Sequence, residues 1–464
     1  MFDLVVLGGG SAAFGAALKA SEFGARVAMV ERGTLGGTCV NVGCVPSKNL
    51  LRAGELVYYD SNREFPGIRP GRTTFDFRQI IQQKNQIVKT LRKEKYSDVL
   101  KSLPSTKLFR GKARFVSRTR VKFNGVNIDG KKFIVATGSS PRILPIPGIE
   151  KVDYLTNVET LGLREKPSSM IIIGGRALAL EFAQMYAHLG THVTLLQRSA
   201  RIIPEEEPEI SEALRQYLES EGIKIHTDVR LKTVYQKDSE KVVVASADGR
   251  EFEVKGEELL MATGRAPNTH DLGLEVAGVK LRADGAVKVN SEMHTSAPHI
   301  WAAGDVIGEP MLETIAAKEG ATAAENALRD AHKKVDFLSV PNAVFTSPQV
   351  ATVGLTDREA NEKGYQCACR TVEMSIVPKA MTIRETRGLV KMVAESSTGR
   401  ILGVHILAEN AADIIHEGVL AVKYKLTIDD IINTVHVFPT VSESIKLAAM
   451  SYRKDLSQLS CCAE

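Results

Sequence analysis

The chain has 464 residues, enough for about three domains of ordinary size. Hydrophobic residues make up 44% and charged residues 25%, with a net charge of +5, a globular balance and not a disordered one. Acidic and basic residues are interspersed, apolar runs stay below the roughly 18 residues a membrane span needs, and the start MFDLVVLGGG lacks a charged leader, so no nucleic-acid patch, transmembrane helix or signal peptide is expected and a cytoplasmic location is.

The first segment, DLVVLGGGSAAFGAALKASEFGARVAMVE, reads as strand, tight turn, helix, strand. Gly8 and Gly10 permit the turn and let the backbone approach a pyrophosphate at the helix N-terminus, Ala13 holds the third small position, and Glu31 is placed to bind an adenosine ribose. A glycine fingerprint with both strands and the acidic residue points to a dinucleotide; the bland alternative is a Gly-rich turn.

GGTCVNVGCVPSK follows directly. On one regular helix Cys39 and Cys44 would face about 140° apart, so they pair only if the turn is irregular, which Gly43 permits. With Lys48 nearby and a helix starting there, lowered thiol pKa values and a reactive pair are expected. Two buried structural thiols are the alternative. The chain has six cysteines in three close pairs, Cys39/Cys44, Cys367/Cys369 and Cys461/Cys462, which suits redox or metal chemistry better than a disulfide framework.

KKFIVATGSSPRILPIPG then reads as a strand leaving a nucleotide-binding unit, with Thr137 and Gly138 as candidate cofactor contacts. A second βαβ copy begins at SSMIIIGGRALALEFAQ, turning at Gly174 and Gly175. Here Arg176 replaces the second fingerprint glycine, and the second strand ends in Gln197-Arg198 with no carboxylate. Arg198 therefore favours a 2′-phosphate, and NADP(H) over NAD(H), unless it is only a surface arginine. ELLMATGRAPNT, with Gly264, mirrors the earlier exit. In HIWAAGDV, Gly304 and Asp305 end a strand, and Asp305 could accept hydrogen bonds from the hydroxyl chain of a flavin.

From Val340 onward the alternating pattern predicts an antiparallel sheet followed by helices. Cys367 and Cys369, in YQCACRT, would face one side of a strand; they are read as incidental, an auxiliary metal site being the alternative. AADIIHEGVLAVKYKL carries an apolar stripe suited to a core or a subunit interface, and its His416 is read as packed. The expected fold is α/β, with two Rossmann-like domains and a C-terminal α+β dimerisation domain. The boundaries read as 1–150 and 271–339 for the flavin domain, 151–270 for the inserted NADPH domain, and 340–464 for the last.

These motifs together resemble the FAD-dependent pyridine nucleotide–disulfide oxidoreductase family over essentially the whole chain. The resemblance implies FAD and NADPH as cofactors and a homodimer whose active site joins the flavin of one subunit to the C-terminal domain of the other. It also implies that Cys39 is the outer thiol and Cys44 the flavin-facing one, that Lys48 sits near the flavin and pairs with Glu181, and that Gly33 and Thr38 contact FAD.

Disulfide reductases of that family carry His-Pro-Thr-x-x-Glu near the C-terminus, the histidine serving as acid–base. Here HVFPTVSES keeps Pro439, Thr440 and Glu443 but has Phe438 at the histidine position, with His436 two residues away. Phenylalanine cannot move a proton. A soft thiophilic ion needs none, because it passes between thiolates by ligand exchange. The ending LSCCAE resembles the members of the family that reduce Hg(II). It implies that Cys461 and Cys462 of one subunit collect the ion, arriving as a small-thiol complex, and pass it to Cys39 and Cys44 of the other. Those members usually have tyrosine at the position of Phe438 and a second tyrosine matched by Tyr154. Many also carry an N-terminal metal-binding domain, which this chain is expected to lack. The alternatives are a disulfide reductase using His436 and a flavoprotein that sequesters soft metals without reducing them.

Overall fold

The computed structural model describes residues 1–62, 65–71 and 73–458. Strand Phe2–Leu7, the most apolar stretch near the start, is the centre of a parallel sheet, flanked by Val27–Glu31 and Val126–Val135, with Thr106–Arg110 and Ile300–Ala302 outside them. Such strands are buried on both faces, which explains the near-continuous apolar run Leu4, Val5, Val6, Leu7. Helices Ser11–Glu22 and Glu313–Arg329 cover one face together. They pack backbone against backbone: a Cβ on Gly15 would stand 2.2 Å from the Ala317 carbonyl oxygen, and one on Gly320 1.9 Å from that of Ala12.

A second parallel sheet repeats the pattern with strands Lys224–His226, His192–Leu196, Ser169–Ile173 and Glu258–Met261 in that order. The short strands Ser139–Pro141 and Arg265–Pro267 pair antiparallel and tie the exits of the two units together. Helix Cys44–Ser61 of the first unit lies on helix Ala177–His188 of the second, with Gly54 allowing the approach.

The C-terminal unit is a five-stranded antiparallel sheet in the order Asn342–Val344, Gln349–Gly354, Ile401–Ala408, Leu389–Glu395, Cys367–Glu373. Helix Ala411–Tyr424 covers it. Ile415, Ala421 and Val422 face the sheet, whereas His416 is exposed beside the outward Leu420 and Tyr424. The expectation that His416 is packed does not hold within one chain, because the apolar stripe is wider than the sheet it covers. Lys391, buried, joins this unit to the second by pairing with Glu207 at 2.8 Å and Glu209 at 2.9 Å. No helix among the described residues is long and apolar enough to cross a membrane.

Candidate active site

The first glycine turn is pressed between two strands. Gly8 has φ 135°, and a Cβ there would stand 2.1 Å from the Ala136 carbonyl oxygen. A Cβ on Gly9 would meet the Glu31 side chain at 2.9 Å. Gly10 caps helix Ser11–Glu22 without a side-chain hydrogen bond, so the first backbone N–H groups stay available to an anion. Glu31 bends back to accept the Gly33 N–H. Ala13 is fully buried in the core behind the turn.

A cleft of about 560 Å³ opens in front. Its walls include Gly10, Glu31, Thr38, Thr137 and Gly138, and on the far side Gly304 and Asp305. Arg32 and Thr34 reach it, but Gly33 between them does not. Behind Gly304, the buried Glu319 accepts that residue's N–H at 2.6 Å, and its second oxygen is buried without a partner. Burial pushes this carboxyl up to about 7.

The dithiol stands in the same cleft. Cys39 lies in helix Gly37–Val42 and Cys44 begins helix Cys44–Ser61; Gly43, with φ −136° and ψ −120°, breaks the two apart. A Cβ on Gly43 would sit 3.0 Å from the Thr38 carbonyl oxygen and 3.2 Å from Cys39 Cα, so a side chain there would crowd the fold of the second helix onto the first. The break brings the two sulfurs together, with the Cys39 thiol donating to Cys44. That hydrogen bond, helped by the Lys48 ammonium, lowers the Cys44 pKa, while the same bond and burial raise that of Cys39. The pair is asymmetric, with Cys44 shifted down and Cys39 shifted up, a correction to the expectation that both thiols are lowered. Two thiolates side by side repel, so the first to ionise holds the second neutral.

Lys48, one turn along from Cys44, pairs with Glu181 at 2.6 Å and lies 4.5 Å from the centre of the Phe345 ring. The other Glu181 oxygen accepts the Phe345 N–H at 3.0 Å. One carboxylate thus links all three units at the cleft. Beside it, Arg265 donates to Ser139 Oγ at 2.6 Å and to Thr38 Oγ1 at 3.3 Å, and Ser139 in turn donates to Asp305. Asn268 holds Thr137 and Ser140. Sequence reasoning passed over Arg265, Asn268, Ser139 and Glu319; for the first three the visible signal was the polar residues inside the two ATG exits. Tyr154 lies outside the cleft, half-buried against the core of the second unit.

The second turn is built like the first. Gly174 has φ 126°, and a Cβ there would stand 2.3 Å from the Ala262 carbonyl oxygen. A Cβ on Gly175 would meet Gln197 at 2.9 Å, as Gly9 would meet Glu31. Gln197 is buried and braces the following loop through the Arg201 carbonyl, while Arg198 is exposed. Arg176 leans on Glu205 at 3.4 Å. Gly264, φ 95°, leaves open space beside its Cα.

In the C-terminal unit, Phe438 is exposed. His436 has both ring nitrogens engaged, with the Glu417 carboxylate at 2.8 Å and the Thr434 carbonyl at 3.0 Å. Glu443 is left with a buried oxygen lacking a partner. Cys461 and Cys462 lie outside the described residues.

Two stacked dinucleotide units with a dithiol at their junction define an electron-transferring oxidoreductase. Residues 2–320 match the family described as pyridine nucleotide-disulphide oxidoreductase, and residues 340–449 its dimerisation domain. A mercuric reductase of Staphylococcus aureus is 44% identical over 462 residues, covering 100% of this chain and 84% of that protein. One from Streptomyces lividans is 41% identical over 470 residues, covering 100% and 98%. In structure the chain is similar to the HOCl-induced flavoprotein disulfide reductase RclA of Escherichia coli, with a TM-score of 0.85 at 28% identity, covering 97% of this chain and 100% of that one. The chain belongs to the pyridine nucleotide–disulphide oxidoreductase family. FAD and NADPH are the cofactors of that family, and the residues fit them: a turn too tight for any side chain at Gly8 and Gly9 opens on a cleft holding the dithiol, and a second such turn has an exposed arginine beside it.

Proposed function

We infer that the chain is an NADPH-dependent reductase of Hg(II), working as a homodimer in the cytoplasm. The observation that carries this over disulfide reduction is at the C-terminal motif. Phe438, at the position of the family's histidine, has no proton to give, and His436, two residues away, is turned to Glu417 and Thr434. Disulfide reduction must protonate a leaving thiolate; exchange of a metal between thiolates does not.

On this reading Gly10, Glu31, Thr38, Thr137, Gly138, Gly304 and Asp305 hold FAD, with Gly8, Ala13 and Gly33 shaping the turn. Gly174, Gly175, Arg176, Arg198 and Gly264 hold NADPH, with Arg198 on its 2′-phosphate. When bound, FAD would supply the two-electron redox chemistry between NADPH and the dithiol side of the cleft. Hg(II) arrives as a small-thiol complex, is taken by Cys461 and Cys462 of one subunit, and passes to Cys39 and Cys44 of the other. Cys44 ionises more readily than Cys39, and each thiol gives up its proton as it becomes a ligand of the ion. Lys48, fixed by Glu181, balances the negative charge of the pair. One hydride carries two electrons, which take one Hg(II) to Hg(0), and Hg(0) has little hold on sulfur. Tyr154 stands outside the cleft of its own chain, whereas Phe438 is expected on the path of the ion. Phe438 brings no hydroxyl to it.

The test is Hg(II)-dependent NADPH oxidation with capture of mercury vapour. The holoenzyme should turn over, Cys39→Ala and Cys44→Ala should lose about two orders of magnitude or more, and glutathione disulfide should be a poor substrate. NADPH oxidation by the disulfide without mercury release would sink the reading.

A further inference from the structure

Outside the cleft, three more soft or acidic donors converge. Asp357 opens the helix Asp357–Glu362, and Cys367 and Cys369 lie on one face of the edge strand Cys367–Glu373. One ligand atom from each lies within 4.8 Å of the others. The Cys367 thiol donates to Asp357 Oδ1 at 3.0 Å, and Cys369 also points its thiol at that carboxylate. Both cysteines are free.

The donors are held in place. Asp357 Oδ1 accepts the Asn361 side-chain amide at 2.9 Å, its backbone N–H is donated to Glu207 at 2.6 Å, and the turn before it is a closed capping box of Thr356 and Glu359. Between the two cysteines, the Ala368 carbonyl accepts the Tyr452 hydroxyl at 2.8 Å, which pins the strand. Leu355, Ala360, Val393 and Leu402 make an apolar floor on which the cysteines pack. Thiols of no function need neither a shared carboxylate nor a braced strand.

Two sulfurs and one carboxylate select a thiophilic d10 cation over calcium or magnesium. Metal–sulfur bonds of about 2.3 Å put tetrahedral donors roughly 3.8 Å apart and linear ones about 4.6 Å apart, both within the spread seen here. Sheet geometry keeps the cluster away from the chain's own active site. Strand Asn342–Val344, which borders the cleft, and strand Cys367–Glu373 are opposite edges of the five-stranded sheet, about 19 Å apart at the strand spacing.

We propose that Asp357, Cys367 and Cys369 form a second metal site, a holding site for a thiophilic d10 cation such as Zn(II), Cd(II) or Hg(II), separate from the reducing dithiol. Binding replaces two S–H bonds with two metal–thiolate bonds and releases two protons to the buffer; nothing is oxidised. The site does not depend on the reductase reading, because Cd(II) probes it without electron transfer.

The experiment uses the full-length flavoprotein with Cys39, Cys44, Cys461 and Cys462 all replaced by alanine, so that Cys367 and Cys369 are the remaining thiols of the six. Reduced with a phosphine and titrated with Cd(II), it should take one equivalent, show thiolate-to-cadmium ultraviolet absorption, and protect both thiols from a thiol reagent. Adding Cys367→Ser and Cys369→Ser should abolish all three signals. Asp357→Asn should weaken binding by about tenfold or more, at least the loss seen on removing an outer-shell partner. Should the fourfold variant fold poorly, Cys367→Ser/Cys369→Ser in the otherwise unchanged holoenzyme must lower its Cd(II) stoichiometry by one. No stoichiometric band, or the same stoichiometry with and without the two cysteines, overturns the proposal.

Discussion

At the scale of single residues, the cleft works by shifting the pKa values of the groups it holds. The Cys39 thiol is held above and the Cys44 thiol below the ordinary range, because one hydrogen bond favours the thiolate on one side only. Glu319 is a second case. It is buried, its one partner is the Gly304 N–H, and its pKa rises from 4.5 to about 7. The folded state therefore binds more protons than the unfolded state between those two values, and stability falls as pH rises through that window. Above about pH 7 the cost reaches on the order of 3 kcal/mol. Glu319→Gln should remove that slope: thermal melting of the wild type should drop from about pH 5 to about pH 8 relative to the variant. Parallel melting curves would show that Glu319 does not titrate there. The residue signals that sequence carried were the ones with local chemistry: Gly43 as the break that lets two cysteines meet, Phe438 as a missing proton donor. Glu319 was invisible, because its partner Gly304 meets it only when a helix from late in the unit returns to the sheet.

At the scale of elements, duplication is what made the fold readable. Gly8, Gly9 and Glu31 in the first unit stand as Gly174, Gly175 and Gln197 do in the second, down to the carbonyl that each first glycine meets. Sequence pattern shows this because strand, turn, helix and strand are contiguous. What it cannot show is the partner of the first helix. Helix Glu313–Arg329 joins helix Ser11–Glu22 through Gly15 and Gly320, and neither glycine belongs to a local motif. Gly320→Ala tests this contact. On helix propensity alone the change gains about 1 kcal/mol. A methyl group 1.9 Å from the Ala12 carbonyl oxygen instead forces the helices apart, and overpacking of this kind costs about 1–3 kcal/mol or more. Helix Ser11–Glu22 starts at Gly10, and helix Glu313–Arg329 carries Glu319, which holds Gly304, so the variant should melt lower and release its flavin, seen as free flavin fluorescence, at a lower temperature. A variant as stable as the parent would mean that the helices separate at little cost.

At the scale of the whole molecule, one chain leaves too much apolar surface uncovered to be the working unit. Leu420 and Tyr424 on the outer face of helix Ala411–Tyr424 are 53% and 65% exposed, and Val435 and Val437 before Phe438 are 85% and 76% exposed. Apolar side chains clustered in this way mark an interface, and they lie inside the segment that matches a dimerisation domain. On the proposed reading, a second chain's C-terminal segment serves the cleft of the first, which would make each site composite. That reading has a consequence for mixed dimers. A Cys39→Ala chain lacks the receiving thiol but keeps its tail; a Cys461→Ala/Cys462→Ala chain keeps the receiving dithiol but lacks the tail. If delivery runs within one chain, every chain in the mixture is defective and coexpression restores nothing. If delivery runs between chains, the tail of the first serves the dithiol of the second in each mixed dimer. With random pairing, half of all dimers are mixed and each has one intact site of two, so about a quarter of wild-type turnover should return. Differently tagged chains, purified through both tags, should raise this to about half. Activity that stays at the level of the separate variants would place the tail and its dithiol in the same subunit.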